Sequence, residues 1–167
     1  MCLRTSIFRR LLLDWVRLPS GHFREAMSGA CWESAMENKP IQIYGDGSQL
    51  RDFVYADDAA DAFLRAGASD ACNGDVFNVG GDRPISHRDL TTLLVEIAGS
   101  GTVQYVDWPP DKKAIDIGSF YADSARFTRT TGWTPATSLA DGLRQTIAFY
   151  RQHGAHYTES DAGGGQP

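Results

Sequence analysis

The amino-acid sequence predicts a mixed α/β fold in which a small sheet is covered by helices. Short stretches that alternate β-branched or aromatic residues with polar ones, as at Ile41 and Ile43, are typical of strands. Longer stretches with apolar residues three and four apart, as in residues 90–97, are typical of helices. The chain has 167 residues and 42% apolar content, as in an ordinary globular domain. A domain of this length buries roughly two-thirds of its unfolded surface.

Composition argues against several classes of partner. The formal net charge is −5 with both signs mixed along the chain, so we expect no nucleic-acid-binding face. No apolar stretch approaches the ~20 residues that span a bilayer, so we expect no membrane partner. Cys2, Cys31 and Cys72 are odd in number and lack metal-site spacing. This pattern favours free thiols in a reducing compartment, and hence a cytoplasmic protein.

The N-terminal part predicts two helices. Residues 1–19 carry apolar side chains at helical spacing together with arginines, which indicates an amphipathic helix that ends at Pro19. Such a helix can lie on a membrane surface or pack on its own protein, and we expect the latter. Residues 20–38 predict a second helix that Asn38 and Pro40 end.

The stretch from residue 41 to residue 55 predicts a hairpin. Two extended runs flank a turn in which Gly45 and Gly47 supply backbone freedom. Arg51 follows the turn, where its guanidinium can face a carboxylate or a phosphate. An ion pair with Asp52 or Asp57 is the simpler alternative, since surface ion pairs are common.

Helices and strands then alternate. Asp57 or Asp58 is expected to cap a helix with a buried stripe that stops at Gly67. Residues 75–79 predict a strand, and the next strand lies at residues 102–106. The buried stripe of the first helix is expected to contain Ala59, Ala62, Phe63 and Ala66.

Three further helices have local start or stop signals. Ser86 and Asp89 resemble a capping box for a helix that ends at Gly99, and Ser138 with Asp141 forms a similar box for the last helix. Between these two, a short helix is expected to begin at Asp123 and to stop at Gly132. Residues 158–167 lack core residues and predict a disordered tail.

Motifs over residues 39–151 resemble the NAD-dependent epimerase/dehydratase family, extended short-chain dehydrogenases that act on nucleotide sugars. The members in question are UDP-glucose 4-epimerase-like or dTDP-glucose 4,6-dehydratase-like. The matching stretches are IQIYGDGSQLRDFVY followed by DDA, then FNVGG, PPDKKAIDIG, GWTP and SLADGL. The resemblance implies the C-terminal, substrate-side lobe of such an enzyme, an incomplete Rossmann-type fold, over residues 20–157.

By the same resemblance, Gln42 and Tyr44 would line the site of the base in a UDP- or dTDP-sugar. Arg51 would bind the diphosphate, and Asn78 would lie in the same pocket. Lys112 and Lys113 stand near a second phosphate-binding position of the family. Asn78 can also be a turn residue before Gly80, and Tyr44 can be a cross-strand aromatic.

The family's catalytic elements are not found in the sequence. Neither a G-x-x-G-x-x-G turn nor a Tyr-x-x-x-Lys pair occurs. We therefore expect a truncated homologue with no catalytic residue, no NAD bound by this chain alone and no turnover. Two alternatives stay open: an interaction protein that oligomerises without nucleotide, and half of a split enzyme completed by a dinucleotide-binding chain. We expect a homodimer in which residues 1–19 take part.

Overall fold

The computed structural model describes residue 31 and residues 34–114 and 116–153. The predictions for residues 1–19 and 158–167, and most of that for residues 20–38, lie outside the described residues. Within them, residues 34–36 are helical. No helix in the described part of the chain is long and apolar enough to cross a membrane.

Four short strands form two separate two-stranded sheets. The strands are β1 (Pro40–Tyr44), β2 (Leu50–Arg51), β3 (Ile85–Ser86) and β4 (Thr102–Val106). β1 pairs with β4 in parallel, from Pro40 opposite Thr102 to Tyr44 opposite Val106. β2 pairs with β3 in the antiparallel sense. The predicted strand at residues 102–106 is confirmed.

The predicted hairpin is wrong, because its two runs join different sheets. The Gly45 amide donates to the Val106 carbonyl at 2.8 Å, which extends the pairing of β1 with β4. The Gly47 carbonyl accepts from the Arg88 amide at 3.0 Å. Both glycines have positive φ, 65° and 66°, so the turn directs the chain away from β1 instead of back along it.

Five further α-helices lie within the described residues. They are α1 (Ala56–Ala68), α2 (His87–Ala98), α3 (Pro110–Ala114), α4 (Ala125–Thr131) and α5 (Leu139–His153), with a 3₁₀ turn at Asp70–Cys72. Two predicted start signals are confirmed: the Asp89 amide donates to Ser86 Oγ at 3.0 Å, and the Asp141 amide donates to Ser138 Oγ at 3.1 Å. The predicted cap at Asp123 is wrong by one residue, because Ser124 is the N-cap residue of α4. The Asp123 carboxylate still accepts from the Ala125 amide at 2.8 Å.

The start of α1 differs from the prediction. Tyr55 is the N-cap residue and makes no side-chain cap bond, while Asp57 and Asp58 lie in the first turn. The Asp58 carboxylate accepts instead from the Thr137 amide at 2.9 Å, because the loop before α5 packs there. Ala59 and Ala62 are buried as predicted, but Phe63 is 40% exposed.

Two apolar clusters hold these elements together. The first packs β1 against α2 and α5 through Ala35, Ile41, Leu94, Ala98, Leu143 and Ile147. The second packs α1 against α4 through Ala62, Cys72, Phe77, Phe127 and Trp133. Residues 75–79, predicted as a strand, have no regular pairing, and Phe77 there packs 5.5 Å from the Phe127 ring. The apolar residues that suggested a strand at residues 75–79 therefore reflect the burial of Phe77 in the second cluster, not pairing with another strand.

Candidate functional site

One connecting segment links the predicted site residues. We call residues 108–124 the 108–124 segment; all of it is described except residue 115. It runs in the same direction as residues 44–52: the Leu50 amide donates to Ser119 Oγ, and the Phe120 amide donates to the Leu50 carbonyl, both at 3.0 Å. Further along, Ser124 Oγ accepts from the Gly80 amide at 2.8 Å. The segment therefore passes Tyr44, Arg51 and the Asn78 turn in order.

Arg51 is held by backbone carbonyls. Its Nη1 donates to the Leu50 carbonyl at 2.8 Å and to the Gly118 carbonyl at 2.6 Å. Its Nε and Nη2 make no hydrogen bond, and no carboxylate forms an ion pair with it, among the residues that the structure describes. The ion pair with Asp52 or Asp57 that the sequence left open is not formed. The half-buried guanidinium keeps donors for an anion.

Asp52 has a structural role beside Arg51. Its Oδ2 accepts from the Gly81 amide at 3.2 Å and from the Ala122 amide at 3.3 Å. A Cβ at Gly80 would overlap the Asp52 carboxylate and come within 2.8 Å of the Ala122 Cβ. Gly80 therefore permits close packing of three chain segments.

His87 is a neighbour of Arg51 that sequence reasoning missed. It is the first residue of α2, it is buried, and its backbone amide donates to the Gln49 carbonyl at 3.1 Å. Burial, and then the positive charge of Arg51, lower the pKa of His87 to about 4, with Asp116 opposing. The imidazole is therefore uncharged at neutral pH. The only sequence feature that could have pointed to His87 was its position directly after the capping residue Ser86.

Tyr44 lies in an aromatic and cationic cluster. Its ring centroid is 5.3 Å from that of Trp108, and the Lys112 Nζ lies over the Tyr44 ring, 5.5 Å from its centroid. Gly45 is needed here, because a Cβ on it would meet Trp108 Nε1 at 2.7 Å. The sequence prediction included Tyr44 and Lys112 but missed Trp108. Trp108 lies two residues after β4, and β4 pairs with β1. This position is the sequence feature that could have indicated a contact with Tyr44.

Three predicted residues make no side-chain hydrogen bond or ion pair with the described part of the chain. Gln42, Asn78 and Lys113 are exposed. Gln42 shares a face of β1 with Tyr44, since alternate residues of a strand point to the same side. Asn78 lies two residues before Gly80, and Lys113 follows Lys112 on α3. The structure thus brings Tyr44 and Lys112 into contact and leaves these three side chains in solvent.

Comparisons with known proteins show what the chain is similar to. Residues 19–80 match the NAD dependent epimerase/dehydratase family model. Over 120 residues the chain is 37% identical to a dTDP-glucose 4,6-dehydratase of Streptomyces griseus, covering 71% of this chain and 35% of that protein. It is likewise 37% identical over 120 residues to a UDP-glucose 4-epimerase of Mycolicibacterium smegmatis, covering 71% of this chain and 37% of that protein.

Solved structures show the same fold. A UDP-glucose 4-epimerase from Thermotoga maritima, determined with UDP-glucose, superposes with a TM-score of 0.66 at 28% identity, over 75% of this chain and 39% of that one. The chain thus spans about two-fifths or less of the length of these proteins. The predicted mixed α/β fold of an extended short-chain dehydrogenase is confirmed. In sequence and in fold, this chain is therefore similar to part of the proteins of the NAD-dependent epimerase/dehydratase family.

Proposed function

We propose that the described part of the chain is a lobe that binds a UDP- or dTDP-sugar and does not by itself catalyse epimerisation or dehydration. The hydrogen bonding of the Arg51 guanidinium is the observation that carries this proposal. Two carbonyls fix its guanidinium, at 2.8 and 2.6 Å, and no described carboxylate neutralises it. A fixed cation with spare donors is well suited to a diphosphate, which accepts charge-assisted hydrogen bonds.

The neighbours of Arg51 support this role. His87 is buried and uncharged at neutral pH, so Arg51 supplies the positive charge at that point. Tyr44 offers an aromatic ring for the base, and Lys112, close to it, offers a second charge for the phosphates. Gln42 and Asn78 would add hydrogen bonds from their exposed amides. Lys113 is the weaker candidate of the two lysines, because the described residues give it no contact with Tyr44.

Related proteins support the ligand class. The two relatives described above act, by their names, on dTDP-glucose and UDP-glucose, and the Thermotoga maritima structure was determined with UDP-glucose. Because this chain spans only part of those proteins, their activities are not transferred to it. We propose nucleotide-sugar binding alone, in the cytoplasm.

Calorimetric titration of UDP and dTDP into the full chain tests the proposal. Arg51→Ala should weaken binding by roughly 1.5–3 kcal/mol, since it removes charge-assisted contacts. Arg51→Lys should restore part of the loss, because it returns the charge without the planar fork. Arg65→Ala is a matched control, since Arg65 is an exposed arginine paired with Asp61 at 2.8 Å.

Equal affinity of wild type and Arg51→Ala for both nucleotides would contradict the proposed role of Arg51. An absence of any binding by the wild-type chain would end the proposal as a whole.

A second candidate function, an interaction protein or a chain completed by a partner, is favoured by exposed apolar side chains in the 108–124 segment, whose Gly118 carbonyl accepts from Arg51. Ile117 is 64% exposed and Tyr121 is 53% exposed, both in the 108–124 segment. Large exposed apolar side chains in one segment are a feature of contact surfaces. We propose a homodimer, and light scattering at micromolar concentration tests it. A monomer mass would refute the dimer.

A further inference from the structure

We propose that Lys112 makes the Tyr44 ring selective for phosphorylated nucleotides over uncharged nucleosides, an inference that rests on the proposed function and deepens it. The Lys112 Nζ lies over the Tyr44 ring, 5.5 Å from the centroid. Among the residues that the structure describes, no carboxylate forms an ion pair with Lys112. The ring is thus the ammonium's partner in this structure.

An ammonium over an aromatic ring competes with a stacked base. Both need the ring face, and both are stabilised by its π electrons. While Lys112 lies over Tyr44, a base can stack there only after the ammonium moves. The lysine side chain permits this movement, because α3 is exposed and the four-carbon stem is flexible.

The ring itself is less free to move than the lysine. Trp108 contacts Tyr44 at 5.3 Å between centroids, with a 37° angle between the ring planes. Trp108 also lies against Gly45, where even a methyl group would meet its Nε1 at 2.7 Å. The aromatic pair is therefore fixed on the end of β1, and the ammonium is the mobile part of the cluster.

Ligand charge decides whether moving the ammonium is favourable. A nucleoside must displace Lys112 and offers it no new partner. A nucleoside diphosphate offers Lys112 its phosphates as a new partner, and Arg51, which the Gly118 carbonyl of the same 108–124 segment holds, supplies a second cation for them. The same residue thus disfavours nucleosides and favours nucleotides.

Calorimetry of the full chain with uridine and UDP, and with thymidine and dTDP, tests the inference. Lys112→Met should tighten nucleoside binding by about two- to fivefold, since it removes the competing cation. The same variant should weaken nucleoside diphosphate binding by about tenfold, since it removes a phosphate contact. Lys113→Met removes an equal charge one position away and should not tighten nucleoside binding.

The results separate the inference from the proposed function. Opposite changes for nucleoside and nucleotide in Lys112→Met support the inference. Changes in the same direction, no change in their ratio, or an equal effect of Lys113→Met would overturn it, while UDP binding that depends on Arg51 would still support the proposed function. If the wild-type chain bound neither UDP nor dTDP, both proposals would fall.

Discussion

Burial and the neighbouring Arg51 guanidinium both lower the pKa of the His87 imidazole. Both disfavour the protonated form, and they lower the pKa of His87 from 6.5 to about 4. In the unfolded chain the same histidine keeps a pKa near 6.5. As the pH falls through this window, the unfolded chain takes up a proton before the folded protein does.

The free energy of unfolding should therefore decrease between about pH 6.5 and pH 4, by on the order of 1–3 kcal/mol from this residue. Urea unfolding at several pH values checks the prediction. His87→Gln should flatten the decrease in that window, whatever its effect at pH 7. His153→Gln, at the last residue of α5, serves as the control. An unchanged slope in His87→Gln would show that another group causes the pH dependence.

Gly45 combines two constraints that can be measured separately. Its φ is +65°, and a Cβ would meet Trp108 Nε1 at 2.7 Å. Gly74 also has positive φ, +79°, but has open space around it. Gly74→Ala should cost about 1–2 kcal/mol from the backbone alone. Gly45→Ala should cost more and should change Trp108 fluorescence. Equal losses in the two variants would show that the contact with Trp108 is not limiting.

Among the elements, the two capping boxes were predicted correctly and the strand pairing was not. Ser86 with Asp89, and Ser138 with Asp141, lie three residues apart, so their hydrogen bonds follow from local sequence. The pairing of β1 with β4 joins residues about sixty positions apart, and nothing local to residues 41–55 indicates it. The Gly-rich turn favoured the nearest partner, whereas the packing of β1 against α2 and α5 favours the distant one.

The two capping serines give an element-scale prediction. Ser86→Ala should destabilise the fold by about 1 kcal/mol, since the Asp89 amide loses its acceptor in a partly buried setting. Ser138→Ala should cost less, because that box is exposed to water. Thermal and urea unfolding of both variants check this order. A larger loss in Ser138→Ala would mean that α5 depends on its cap more than α2 does.

Across the whole molecule, the family resemblance predicted part of the candidate site, and packing supplied the rest. Tyr44, Arg51 and Lys112 were predicted from motifs, because the motifs preserve residue type at fixed spacing. Trp108 and His87 were missed. Their roles depend on contacts with residues 44–51, which are dozens of positions away in the chain. No sequence pattern predicts that the Gly118 carbonyl lies beside Arg51.

NAD gives a prediction for the whole chain. No G-x-x-G-x-x-G turn and no Tyr-x-x-x-Lys pair occurs in the 167 residues. We therefore expect no stoichiometric heat when NAD is titrated into the chain, with or without UDP. Titration with UDP on the same sample is the control for folded, active protein. Stoichiometric NAD binding would show that this chain holds a dinucleotide site of a different construction.

The 108–124 segment also bears on how the protein is made. Its bonds to Leu50, Arg51 and Asp52 join residues 67 to 70 positions apart. During synthesis, Tyr44 and Arg51 leave the ribosome long before the residues that hold them. Contacts over such distances form late, because closing a long loop costs entropy before any contact is gained. The nascent chain therefore exposes Tyr44 and Arg51 well before the 108–124 segment, which carries Lys112, can complete the candidate site.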